Sequence, residues 1–201
     1  MPIGIRPLKP KALAYTAPID EKQLVKDLQT PAVAKQAFNT LMRTYGEPVY
    51  WQIRRMVGNH EDANDLLQNC FLKAWSNLHN FRGDAKLSTW LYKIAVNETI
   101  NFLNKERQRA QIQGDEHDDE ILLSRLTSDE YFDGDALQVT FQKAVMALPE
   151  KQRLVFNMRY YDEKKYEEIS EILGTSVGAL KASYHHAVKK ISAAIKASEI
   201  S

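Results

Sequence analysis

Cysteine is nearly absent: Cys70 is the only one in 201 residues. It has no partner for an intramolecular disulfide and cannot build a cysteine-rich metal centre, which fits a reducing cytoplasm. Long apolar runs are missing too, so no membrane insertion is expected, since a spanning helix needs about 20 consecutive apolar residues. The opening stretch MPIGIRPLKPKALAYTAPID has no apolar core before a small-residue cleavage site, and no secretory signal is expected. Also absent are a glycine-rich phosphate loop, Gly-x-Ser-x-Gly and a usable Cys/His nucleophile pair. His60-Glu61-Asp62 and His117-Asp118-Asp119 lack the i, i+4 histidine spacing of a metal helix, and His185-His186 are adjacent. These gaps exclude the common enzymes: no catalytic residue, metal, cofactor or small-molecule substrate is expected. Hydrophobic residues at 44% and charged residues at 26% still suffice for one or two modest cores.

Excess charge of either sign is missing as well, for the net is +1. The near balance conceals a pattern. Residues 1–24 carry net +2, residues 25–109 net +4, residues 110–135 net −8 and residues 136–201 net +3. Two mildly basic segments therefore flank a strongly acidic connector. That distribution permits two polyanion-binding modules on a tether, but charge alone favours ordinary solvated helix faces around an acidic linker.

No segment alternates with a period of two, so the expected fold is all-α: a four-helix N-terminal domain and a helix-turn-helix C-terminal domain joined by a flexible acidic linker. Residues 1–22, rich in proline, read as a flexible arm. Residues 23–106 form the first domain. Thr30-Pro31 resembles a cap and first helical position, and Ala34, Phe38, Leu41, Met42 and Tyr45 share one face. Pro48 can open a second helix that Gly58 closes. Glu61 to Asn77 is the next helix, and Leu78–Ala85 is a loop. Ser88 caps a fourth helix to about Glu106. Trp75 and Trp90 read as core residues. Residues 107–134 are the linker, with at most a short helix near Ile121–Arg125. In residues 135–201, Leu137, Phe141, Val145 and Leu148 make one stripe before Pro149.

Tyr166-Glu-Glu-Ile-Ser-Glu-Ile-Leu-Gly174-Thr-Ser-Val-Gly-Ala-Leu-Lys181 is a helix, a tight turn and a second helix, the spacing of a helix-turn-helix. Ser176 caps the second helix, leaving its first amides available to a phosphate. Gly178, Lys181, Ser183, His185 and Lys189 are expected on its outward side. They are short or hydrogen-bonding, as entry into a major groove requires.

These residues resemble a family. The stretch ALPEKQRLVFNMRYYDEKKYEEISEILGTSVGALKASYHHAVKKI is similar to the C-terminal domain of extracytoplasmic-function (ECF) sigma factors, the group-four members of the bacterial sigma-70 family. Asn59–Gln68 with Phe71–Trp75 resembles the family's polymerase-clamp-binding helix, and Phe81–Asn97 its promoter-melting loop and helix. The resemblance covers about 25–105 and 136–195. It implies a cytoplasmic subunit that gives core RNA polymerase its promoter choice, with promoter DNA and an inhibitory anti-sigma factor as further partners. The first domain would bind the clamp and open the −10 element, and the second would read the −35 element as duplex.

Strand opening needs a surface that prefers single strands, where stacking a base on an aromatic ring contributes about 1–3 kcal/mol. Asn80, Phe81, Arg82 and Lys86 in the loop are the candidates, with Lys93, Asn97 and Asn101 at i, i+4 and i+8 tracking the backbone. Phe81 reads equally as a small satellite core. Asp62, Asp65, Gln68, Asn69 and Lys73 form the outward face expected to meet polymerase. Ser183 and Val188 stand where many family members carry basic residues. The −35 contacts are thus expected to lean on phosphates and duplex shape.

Overall fold

The computed structural model describes residues 20–113 and 136–198. Most of the expected arm, and residues 114–134 of the linker, where at most a short helix was expected near Ile121–Arg125, lie outside the described residues. Eight α-helices are described, with no strand among them.

Helix α1, Glu21–Gln29, begins where the Asp20 carboxylate accepts the backbone N–H groups of Lys22 and Gln23 at 3.0 and 3.1 Å. It starts two residues before the expected domain boundary. Helix α2 runs unbroken from Ala34 to Val57, with Pro48 inside it. Two helices were expected here. Proline removes one backbone bond, but Ala37, Phe38, Leu41, Val49, Ile53 and Met56 are all buried in one continuous stripe. Burial along both halves of that stripe offsets the single lost bond. Residues 31–33 form a turn, so Pro31 precedes the helix rather than opening it. Gly58 ends α2 at φ 83°, its N–H bonded to the Arg54 carbonyl at 3.1 Å, which is the left-handed conformation glycine supplies most easily.

Helix α3, His60–Asn77, is capped by Asn59, whose side chain accepts the Asp62 N–H at 2.7 Å. A 3₁₀ turn at Leu78–Asn80 leads into the loop. Helix α4, Leu87–Gln113, runs past the expected end at Glu106 into the stretch read as linker. Buried Ala110 and the Arg107–Glu150 ion pair at 3.1 Å hold those added turns. Ser88 does not cap α4. Its N–H instead donates to Glu21 Oε1 at 3.1 Å, so a carboxylate from α1 sits at this helix start. Tyr45 also donates to Glu21, at 3.3 Å, and burial together with that charge pushes its hydroxyl up to about 12.

The C-terminal half contains α5 (Ala136–Met146), α6 (Glu150–Tyr160), α7 (Tyr166–Leu173) and α8 (Val177–Ser198). Buried Arg153 of α6 donates to the Met146 carbonyl at 2.7 Å, satisfying a terminal carbonyl of α5. Phe141, Val145, Leu148, Phe156, Ala187 and Ile191 form one core of this half. Leu137 lies outside that stripe and is exposed.

The two halves are not held apart as a tether would allow. Helix α6 lies against α2, and α7 against α4. Leu154, Met158, Ile169 and Ile172 share a hydrophobic cluster with Met56, Val57 and Tyr92 of the first half.

Cys70 is fully buried, and that burial, with the charge of Glu98, pushes its thiol up to about 12. A soluble disulfide reagent at pH 8 is expected to leave the folded chain unlabelled and to react within seconds once the chain is denatured. Rapid labelling of the native protein would show that α3 opens locally.

Candidate nucleic-acid interface

Three surfaces carry the residues singled out by sequence. The first is the loop after α3 with the exposed side of α4. Lys93, Asn97 and Asn101 are all exposed at four-residue spacing, so they form one stripe along α4. Asn80, Arg82 and Lys86 are also exposed, on a loop that turns at Gly83 with φ 79°. Lys86 reaches Glu168 of α7 at 3.5 Å.

Phe81 corrects its assignment as a base-stacking residue. It is only 6% exposed, its ring lies 5.0 Å from Trp90, and its carbonyl accepts from the Gln29 side chain at 3.0 Å. The satellite-core alternative is the one observed. Trp90 packs on the core as expected, whereas Trp75 is 44% exposed, with its ring 4.9 Å from that of Phe38. Half of the Trp75 indole therefore faces solvent.

The second surface is the outer side of α3. Asp65, Gln68 and Asn69 are exposed. Asp62 is half-buried at the helix start beside its cap Asn59, and Lys73 is held by Glu98 at 2.5 Å. Leu72, 65% exposed, was not anticipated, nor was the exposure of Trp75. Asp65, Gln68, Leu72 and Trp75 follow one another at three- and four-residue steps, so the two apolar groups extend the polar stripe. The signal was present in the sequence: Leu72 falls off the buried set Ala63, Leu66, Cys70, Phe71 and Ala74. With Trp75 one turn on, Leu72 leaves two large apolar side chains side by side on the outward face of α3.

The third surface is α8. Gly174 turns the chain at φ 63°, its N–H bonded to the Ser170 carbonyl at 2.8 Å. Ser176 then accepts the Ala179 N–H at 3.4 Å. Leu180, Ala187, Ile191 and Ile195 face inward. At about 100° per residue, Gly178, Lys181, Ala182, His185 and Lys189 fall on one face, and all five are exposed. Ser183 corrects its assignment: it sits about 140° from Gly178 by the same count and is half-buried. Ala182 takes its place on the outward face. Ser176 is exposed at the helix start. Lys181 Nζ lies 5.8 Å from the Tyr166 ring, which steadies the lysine without covering its charge.

No group of three or more potential metal ligands occurs among the described residues, and no described helix is long and apolar enough to cross a membrane.

A helix-turn-helix with an open reading face, joined to a second helical domain with a polar, lysine-bearing stripe, defines a DNA-binding transcription protein. The comparisons narrow this. Residues 41–109 match Sigma-70 region 2 and residues 138–191 match Sigma-70 region 4. The ECF RNA polymerase sigma factor SigW of Bacillus subtilis is 33% identical over 158 residues, covering 75% of this chain and 84% of that protein. The ECF RNA polymerase sigma-E factor of Escherichia coli K12 is 31% identical over 156 residues, covering 74% and 81%. The solved structure of CnrH, in complex with the cytosolic domain of CnrY, aligns with a TM-score of 0.64 at 21% identity, over 88% of this chain and 97% of that one. The Bartonella quintana sigma factor RpoE, solved with the anti-sigma factor NepR, aligns at 0.59 and 21% identity, over 79% and 96%. This chain belongs to the ECF sigma factors, the sigma-70 subunits that direct bacterial RNA polymerase to promoters.

Proposed function

We propose that residues 23–106 and 135–201 divide promoter recognition between them. The outer side of α3, with Asp65, Gln68, Asn69 and the apolar Leu72 and Trp75, seats the chain on core polymerase. Asn80, Arg82, Lys86, Lys93, Asn97 and Asn101 contact the opened −10 strand. Ser176, Gly178, Lys181, His185 and Lys189 meet the −35 duplex, with phosphate contacts supplying most of the affinity. The chain performs no covalent chemistry itself, and the polymerase it directs resides in the cytoplasm. An anti-sigma factor is its natural inhibitor, by analogy with the complexes solved for its structural neighbours.

The observation that carries this reading is the outward face of α8. It is small at Gly178 and Ala182, basic at Lys181 and Lys189, and exposed at each of these positions. An α-helix with that profile fits the roughly 12 Å width of a major groove. The decisive experiment reconstitutes transcription from core polymerase, this chain and promoter DNA obtained by genomic selection. Specific initiation is expected. Failure on every selected promoter would overturn the reading.

Lys181→Ala is expected to weaken duplex binding and to reduce the slope of log K against log salt by about one unit, as loss of one phosphate contact does. Titrations at several salt concentrations measure this. An unchanged slope removes Lys181 from the phosphate contacts.

A further inference from the structure

We propose that residues 1–19, the basic arm of this chain, turn back and occupy an open groove between α1 and α2. This docking does not depend on the promoter function proposed above.

The groove has a volume of about 440 Å³. Buried Leu24 and Ala37 form its floor. Asp20 and Asp27 line it from α1, while Val33 and Gln36 line it from the start of α2. Val33 is 38% exposed, so apolar surface lies open to water beside two carboxylates. None of the described residues lining the groove is cationic. Seven residues separate Asp20 from Asp27, almost two helical turns, so the two positions share a face about 10 Å apart. Gln23 donates to Asp27 at 2.8 Å and fixes that side chain at the groove wall.

Two facts select the arm as the occupant. The arm ends at Asp20, itself part of the groove wall, so it is tethered at the site. A short tether supplies an effective concentration on the order of millimolar. The second fact is charge: residues 1–19 carry Arg6, Lys9 and Lys11 and no acidic side chain. A proline-rich segment advances about 3.1 Å per residue with three residues per turn. Arg6 and Lys9 in Arg6-Pro7-Leu8-Lys9-Pro10 would then share one edge about 9 Å apart, a match to the aspartate spacing. Pro7 and Leu8 fall on the other edges, where Leu24, Val33 and Ala37 offer apolar contact. Proline has its φ fixed already, so the segment loses less entropy on docking. The stretch between Lys9 and Asp20 spans up to about 35 Å, enough to turn back along α1.

Docking there braces α1. Glu21 of that helix accepts the Ser88 N–H and the Tyr45 hydroxyl, and Gln29 donates to the Phe81 carbonyl. The loop after α3 and the start of α4 therefore rest on α1. An arm lying between α1 and α2 fastens α1 from the side those bonds leave open.

Trypsin tests this on the full chain. It cuts after lysine or arginine but not before proline. Arg6 and Lys9 both precede proline, so the Lys11–Ala12 bond is the arm's cleavable site. Loss of residues 1–11 is read by intact mass at low salt. Asp27→Asn keeps an acceptor for Gln23 and removes the charge. It is expected to speed that loss at least about threefold, within the range of one exposed ion pair. High salt is expected to erase most of the difference. Lys9→Glu alters the arm alone and leaves α1 untouched. Backbone amides in 21–29 are expected to exchange at least about threefold faster in that variant, and Asp27→Lys combined with Lys9→Glu is expected to slow them again. Equal cleavage of the wild type and Asp27→Asn overturns the docking. So do amides in 21–29 that Lys9→Glu leaves unmoved. Protection of Lys11 that grows with protein concentration overturns it in favour of exchange between two copies. Protection that arises only when promoter duplex is added overturns it and assigns the arm to DNA phosphates.

Discussion

Phe81→Ala is expected to lower the unfolding free energy by about 3–5 kcal/mol, the usual loss for a buried phenylalanine. Its ring is 6% exposed and packs against Trp90, and its carbonyl holds the Gln29 side chain. Removing it leaves a cavity where the loop joins α1 and α4. Open-complex formation is expected to fall on duplex and pre-melted promoters alike, because the loop that carries its exposed neighbours loses its anchor. Asn80→Ala separates the two roles. Asn80 is exposed, so its loss is expected to leave stability within about 0.5 kcal/mol. If Asn80 assists opening, its loss impairs initiation on duplex more than on a pre-melted template. Denaturant midpoints for both variants, paired with initiation assays on the two templates, read this directly. A Phe81→Ala chain of normal stability that failed only on duplex would return Phe81 to the list of base-stacking residues.

Phe81 also shows where sequence reading stops. A phenylalanine in a polar loop can face a base or a core, and neither its neighbours nor its spacing decides. The outcome depends on Gln29 and Trp90, distant in sequence and brought together only by the fold. The helix-turn-helix was legible because it rests on local signals: the apolar set Ile169, Ile172 and Leu180, the turn at Gly174 and the cap at Ser176. The continuity of α2 through Pro48 is legible in the buried stripe, which keeps its register across the proline; the local breaker rule predicts a stop there, and the long-range pattern prevails. Ser183 was placed outward by residue type, and counting angle along α8 corrects it. The contact between the halves had no signature at all. Arg55, Asn157, Asp162 and Lys164 are polar residues with no periodicity, and two such positions more than 100 residues apart announce nothing until the chain folds.

Leu72→Glu is expected to fold with unchanged stability and to lose affinity for core polymerase by at least about tenfold, equivalent to about 1.4 kcal/mol. Leu72 is 65% exposed, so nothing in the chain's own core depends on it. Its neighbours along the stripe are Asp65 and Gln68 on one side and Trp75 on the other. An exposed leucine beside a half-exposed tryptophan within a polar rim has the composition of an interface centre, where a few apolar anchors carry most of the binding energy. A carboxylate placed there would be buried by the partner without a counter-charge, and burial of an unpaired charge opposes association strongly. Lys73, one residue on, is already engaged by Glu98 at 2.5 Å and is poorly placed to rescue it. Asp65→Ala, on the rim of the same stripe, is expected to change affinity far less, because exposed polar contacts contribute little. Equilibrium binding to purified core polymerase, with helicity and denaturation midpoint as folding controls, distinguishes these outcomes. Equal affinity of the Leu72→Glu chain and the wild type would move the polymerase contact off this side of α3.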